Sequence, residues 1–130
     1  MERMTPTRSG DVITPPIAAA ARIEMGNIVC ANAAGYAVEG SESATLTALG
    51  RAETTSDNSA GANGDLKAEV RRGVFKLDNS GTDAVDQTCL GKTVYLEDAK
   101  TVSKTDNGGA RSAAGKCIEI DDDGVWVEIG

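Results

Sequence analysis

Apolar side chains in this chain fall in short runs, and Gly, Asn, Asp and Ser separate each run from the next. Arg22-Ile23-Glu24-Met25 alternates polar with apolar and stops at Gly26-Asn27, after which Ile28-Val29-Cys30-Ala31 predicts another strand. Residues 36–39 and 46–53, the latter broken by Gly50, predict two more, and residues 54–65 predict a long polar loop. Over residues 66–70 the apolar side chains occupy even positions, whereas Phe75 and Leu77 occupy odd ones. Strand side chains repeat every second residue, so this change of phase demands a bulge or tight turn at Arg71-Arg72-Gly73. Asp78-Asn79-Ser80-Gly81 then ends the strand with turn formers. Val94 and Leu96 share one face over residues 93–97, and residues 99–103 predict a short strand before the Asp106-Asn107-Gly108-Gly109 turn. The clearest hairpin is the last: Cys117-Ile118-Glu119-Ile120 enters Asp121-Asp122-Asp123-Gly124 and returns as Val125-Trp126-Val127-Glu128-Ile129. A helix is admissible only over residues 82–90, where Asp83 would cap Ala84-Val85-Asp86-Gln87.

About ten short strands at this spacing predict an all-β fold, a small β-barrel or β-sandwich of short antiparallel strands. At 130 residues the chain is expected to form one such domain over residues 17–130, preceded by an extended N-terminal arm over residues 1–16. That arm holds all three prolines, Pro6, Pro15 and Pro16, with Val12 and Ile13 as its sizeable aliphatic side chains. Proline lacks the donor and disfavours helical geometry in the residue before it, so no helix runs through this stretch. Two readings stand: an untethered tail, or an arm that lies across a neighbouring subunit and pairs as a strand or buries Val12 and Ile13 in its groove.

Composition sharpens the picture. Leu, Ile, Val and Phe supply only 24 of the 130 residues, with one Trp and two Tyr beside them. Such a core is thin, and association between copies is the usual remedy. The net charge is -7 and Arg71-Arg72 is the one adjacent basic pair, so nucleic acid is not an expected partner. The pair reads either as solvated turn charges or as contacts to an acidic partner surface. The aliphatic stretch 17–21 is far too short to span a bilayer, and the first residues show no signal-peptide pattern, so a membrane is not expected either.

Candidate chemistry is sparse. The chain has no histidine, which removes the commonest general base and transition-metal ligand, and Cys30, Cys89 and Cys117 are widely spaced and odd in number, so buried free thiols are expected. Gly91-Lys92-Thr93 ends like a phosphate-binding loop, but Asp86 stands where that loop needs its first glycine, and a strand follows instead of a helix. Asp121-Asp122-Asp123-Gly124 lacks the alternating ligands and distal Glu of a calcium loop and reads as a solvated turn. Asp78, Asp83 and Asp86 would be the carboxylates of a sugar-cleaving enzyme, yet four aromatic side chains leave little for a substrate platform. No catalytic residue, cofactor or metal is therefore expected.

The order of segments resembles a family of capsid decoration, or cement, proteins of tailed bacteriophages. The likeness spans residues 17–129 through Met25-Gly26-Asn27-Ile28-Val29, Leu49-Gly50-Arg51-Ala52, and Val70-Arg71-Arg72-Gly73-Val74-Phe75-Lys76-Leu77-Asp78-Asn79. It continues through Leu90-Gly91-Lys92-Thr93-Val94-Tyr95, Lys100-Thr101-Val102, Gly115-Lys116-Cys117 and the closing Asp123-Gly124-Val125-Trp126-Val127-Glu128-Ile129. The resemblance implies a structural virion protein, made in the host cytoplasm and resident on the capsid surface, that cements capsomers. Its implied partners are the major capsid protein and its own copies, commonly as a homotrimer. Contacts are expected from Val12, Ile13, Pro15 and Pro16 in the arm and from Arg71 and Arg72. The alternative is a β-sandwich binding module of a phage tail or cell surface that recognises carbohydrate or protein, for which exposed Trp126, Tyr36 or Tyr95 would speak.

Overall fold

The structure is a computed structural model that describes Thr5 and residues 10–130; the rest of the expected arm, residues 1–4 and 6–9, lies outside the described residues. In chain order the strands are β1 (Val12–Ile13), β2 (Arg22–Ile23), β3 (Ile28–Ala31), β4 (Ala37–Glu39), β5 (Thr47–Ala52) and β6 (Ser56–Asp57). They continue as β7 (Val70–Arg71), β8 (Gly73–Asn79), β9 (Thr93–Leu96), β10 (Thr101–Ser103), β11 (Ala113–Asp121) and β12 (Gly124–Ile129). The all-β expectation holds, with a barrel, and the paired strands run antiparallel except β8 and β10, which are parallel. Strands β10-β8-β12-β11-β9 close into a barrel, β1-β7-β5-β3-β4 form an open sheet beside it, and β2 pairs with β6 as a separate ribbon.

The barrel follows from period-two patterning. In β8, Phe75 and Leu77 point inward while Val74, Lys76 and Asp78 face out, and Phe75 and Leu77 stand opposite Val127 and Val125 of β12. With Val94, Leu96, Val102 and Cys117 they form one buried cluster. The terminal hairpin turns at Asp121↔Gly124, leaving Asp122-Asp123 as its two-residue loop. Its first strand starts earlier than the β-branched run, at Ala113, because Ala113-Ala114-Gly115-Lys116 pairs with β9 through a bulge.

The change of phase at residues 71–73 marks a passage between layers. Val70 on β7 is buried in a second cluster with Ile17, Ile23, Val29, Ala37 and Ala68, whereas Phe75 and Leu77 on β8 belong to the barrel. The intervening Arg72 lies between β7 of the sheet and β8 of the barrel. Strand β3 explains how the layers stack: Ile28 and Cys30 face the barrel cluster and Val29 the second one, so its run is apolar throughout instead of alternating. Across the layers, the Arg51 guanidinium of β5 sits 4.7 Å from the centroid of the Phe75 ring of β8.

Three expectations change. Gly50 does not break its strand; it pairs with Val29 inside β5, beside a bulge in the β3–β5 ladder. The polar loop 54–65 contributes β6. The admissible helix shrinks to a 3-10 turn, Gln87–Cys89, capped by Asp86 and not by Asp83. Its residues are committed elsewhere: the Asn79 side chain accepts from Val85 N and donates to Val85 O, and Asp83 is held by Thr105 and Arg111. No helix among the described residues is long and apolar enough to cross a membrane.

Candidate functional site

The six residues singled out for partner binding come together along one margin of the sheet. Strand β1 is its outermost strand and pairs antiparallel with β7, Val12 opposite Arg71 and Ile13 opposite Val70. The ladder continues beyond the strand ends: Arg72 N donates to Asp11 O at 2.7 Å, Ala68 N to Pro15 O at 2.9 Å, and Ile17 N to Leu66 O at 2.9 Å. Pro16 suits this margin because its missing donor faces away from β7, whereas Pro15 faces β7 and forgoes one ladder bond there. Ile13 packs against the second cluster, and Val12, Pro15 and Pro16 are half-buried. The described part of the arm is thus a strand of its own sheet.

Both arginines of the basic pair are exposed and both have partners within the chain. Arg71 Nε lies 3.4 Å from Glu53 Oε2, and Arg51 donates to the other Glu53 oxygen at 2.9 Å. The Arg51 hydrogen bond, aided by Arg71, holds the Glu53 carboxyl below its ordinary range. Arg72 donates to the carbonyl of Gly130 at 3.0 Å, beside an open hollow of about 270 Å³ between the arm, Gly73 and the end of β12.

A second polar constellation lies at one end of the barrel, and sequence reasoning missed its centre. Arg111, whose side chain is only 9% exposed, reaches Glu42 at 2.8 Å, Asp83 at 3.2 Å and Glu97 at 3.6 Å. Thr105 donates its hydroxyl to Asp83 at 2.6 Å, and Ser80 donates to Glu97 at 2.7 Å. Next to it Lys104 Nζ lies 3.0 Å from Asp86. The Thr105 hydrogen bond lowers the Asp83 pKa, and those of Thr88 and Lys104 bring Asp86 down to about 2. Both carboxylates are thus held ionised by donors from neighbouring loops, which they tie together. Asp78 sits apart, exposed, on the outer face of β8.

The remaining candidates carry little chemistry. All three cysteines are free and buried, and burial pushes the Cys30 thiol up to about 12. A shallow groove of about 470 Å³ between β5 and the barrel is floored by Ala48, Ala113, Ala114 and Gly115, with Lys116 as its one titratable side chain. Among the described residues no group of His, Cys, Asp and Glu could hold a metal ion. On the barrel's outer wall Trp126 is half-buried, with Lys76 Nζ 5.8 Å from its ring and Nε1 donating to Asp121 at 3.2 Å. Tyr36 and Tyr95 are half-buried as well. In comparisons with known proteins, no family model, curated protein or solved structure matches the chain.

Proposed function

We propose that this chain is a structural virion protein, a capsid decoration protein of a tailed bacteriophage that binds the outside of the assembled shell and cements neighbouring capsomers. The observation that carries the reading is the position of the arm. Strand β1, with Val12 and Ile13, is the outermost strand of its sheet, and over these two residues its outer side pairs with no other strand among the described residues; farther along, Pro16 and Ala18 bond Ala37 of β4. An edge of this kind accepts an extended segment or another edge, and gives affinity through main-chain hydrogen bonds. A closed barrel beside it supplies a rigid mount. A groove with one titratable side chain, and carboxylates already paired with Lys104 and Arg111, fit a protein that works by its outer surfaces. The partners are then the major capsid protein and further copies of this chain, gathered as a homotrimer. Many modest contacts at fixed spacing reinforce one another, and a ligand that binds only the assembled shell stabilises that state.

The test mixes purified protein with mature and immature shells and measures co-sedimentation and shell melting. Binding with a raised shell melting temperature is expected, and deletion of residues 1–16 should abolish it while the barrel stays folded. Absence of binding to either shell rejects the reading. The second reading, a surface module that recognises carbohydrate, has one observation in its favour: Trp126 is half-buried on the outer wall and flanked by Lys76 and Asp121. Glycan binding that a Trp126→Ala variant loses would select it.

A further inference from the structure

The turn that feeds the arm into the sheet is built under strain. Ala20 has φ +59°, the left-handed conformation that an L side chain enters at a cost and that glycine adopts freely. Three residues, Ala19, Ala20 and Ala21, separate the last arm residue paired to the sheet, Ala18, from β2. The turn is pinned from one loop: Ala20 N donates to Gly61 O at 3.2 Å, Ala19 N to the Asn63 side chain at 2.7 Å, and buried Asn58 donates to Ala18 O at 3.0 Å. On the far side of the turn, residues 11–18 engage the body chiefly through backbone bonds to residues 66–72 and to Ala37.

We infer that the arm exchanges between copies, residues 11–18 of one subunit filling the slot beside β7 of another. Every bond the arm makes to that slot is reproduced when a second copy supplies the same residues, so only the three-residue hinge distinguishes the closed from the exchanged form. The closed form carries the left-handed Ala20; an extended hinge relieves it. Pro15 and Pro16 favour the extended conformation in either form, so the arm keeps its shape on transfer. A short hinge under strain, a complete edge strand and a stiff arm together favour exchange, and its extent rises with concentration. The inference names the self-association left general by the capsid reading, and it is tested on the protein alone, so its failure leaves shell binding untouched.

The register supplies a direct probe. Bonds at Asp11–Arg72 and Pro15–Ala68 make those the hydrogen-bonded pairs, so Val12↔Arg71 is a non-hydrogen-bonded pair, the geometry in which facing side chains come closest. In a Val12→Cys, Arg71→Cys double variant, exchange with a small-molecule disulfide joins the two protein sulfurs, while the reagent's S–S bond breaks and takes up the two electrons and two protons to leave as two thiols. Under denaturing, non-reducing conditions, exchange gives covalent dimers or larger closed sets whose share grows with protein concentration before oxidation. Only intrachain cross-links at every concentration, no cross-link at all, or equal dimer formation by the single Val12→Cys variant would overturn the proposal. Ala20→Gly removes the strain and should lower the exchanged share at least about fivefold per hinge, by the ordinary cost of a left-handed L residue. An unchanged or larger share in that variant would refute the role of the hinge.

Discussion

The barrel and the sheet beside it are both small and both β, yet they end differently. Each barrel strand has a neighbour on both sides, and the fourteen-residue buried cluster that it shares with Ile28 and Cys30 of β3 includes Phe75, Leu77, Leu96 and Ile129. At the arm's margin the sheet ends in β1, backed by β7, two residues each, and three of the seven buried residues in its cluster are alanines. Closure removes edges and lets burial hold the structure; an open margin leans on backbone bonds that another chain can replace. One region is therefore a mount and the other a place where partners change. The largest test of that contrast compares cavities. Leu96→Ala should cost about 2–5 kcal/mol in chemical denaturation, whereas Ile13→Ala, at a half-buried edge, should cost about 1 kcal/mol. Equal losses would erase the distinction.

A second variant separates the regions within one molecule. The backbone at Gly50 passes so close to β7 that a methyl group there would collide with the carbonyl oxygen of Arg71. Gly50→Ala should therefore push β7 away from β5 at a cost of about 1–3 kcal/mol. Hydrogen exchange locates the damage: the amides of Ala68 and Arg72, which hold the arm, should exchange faster, and those of Val125 and Val127 in the barrel should not. Uniform acceleration across both regions would mean that sheet and barrel open as one unit.

How much of this could be read in advance follows the same division. Strands β8, β9 and β12 announced themselves because burial on one face imposes period two, and Val94, Leu96, Phe75 and Leu77 carry that signal. A two-residue strand such as β1 or β6 has no period to read, and Ser56-Asp57 is composed like a loop. The second cluster was equally hidden, since Ala37, Ala52 and Ala68 earn their burial from fit and not from hydrophobicity. Of the candidate partner-binding residues, the sequence marked Val12, Ile13, Pro15, Pro16, Arg71 and Arg72, and the fold places them on one margin, though in cis pairing. Arg111 was beyond reach: Glu42 and Asp83 lie 69 and 28 residues away in sequence, and no local pattern links them. The strain at Ala20 was silent for a similar reason, because nothing in Ala18-Ala19-Ala20-Ala21 marks one alanine for left-handed geometry.

The smallest expected effect is on acid stability, and it distinguishes the barrel's clamp from the sheet's. Asp83 and Asp86 at the barrel end, and Glu53 under the sheet margin, are all carboxyls whose pKa is lowered in the folded chain. A group of this kind binds its proton more readily when unfolded. Its contribution is complete above the unfolded carboxylate range, about 4, and fades as the pH falls through the folded value, which for Asp86 is about 2. Arg111 stays charged throughout, its pKa raised chiefly by the Glu42 hydrogen bond, so only the carboxylate side of the clamp titrates. The melting temperature should accordingly be flat above pH about 5 and decline from pH about 4 toward 2. Asp83→Asn should melt lower than the parent at neutral pH and lose less across the acid window, with faster exchange confined to the loops that Arg111 ties together. Glu53→Gln should blunt the same acid decline but show its faster exchange at Arg72 and Ala68 instead. Parallel curves for Asp83→Asn and the parent would remove the Arg111–Asp83 contact from the acid limb and leave Glu53, Asp57, Asp86 and Asp121, whose pKa values are lowered as well, to account for it.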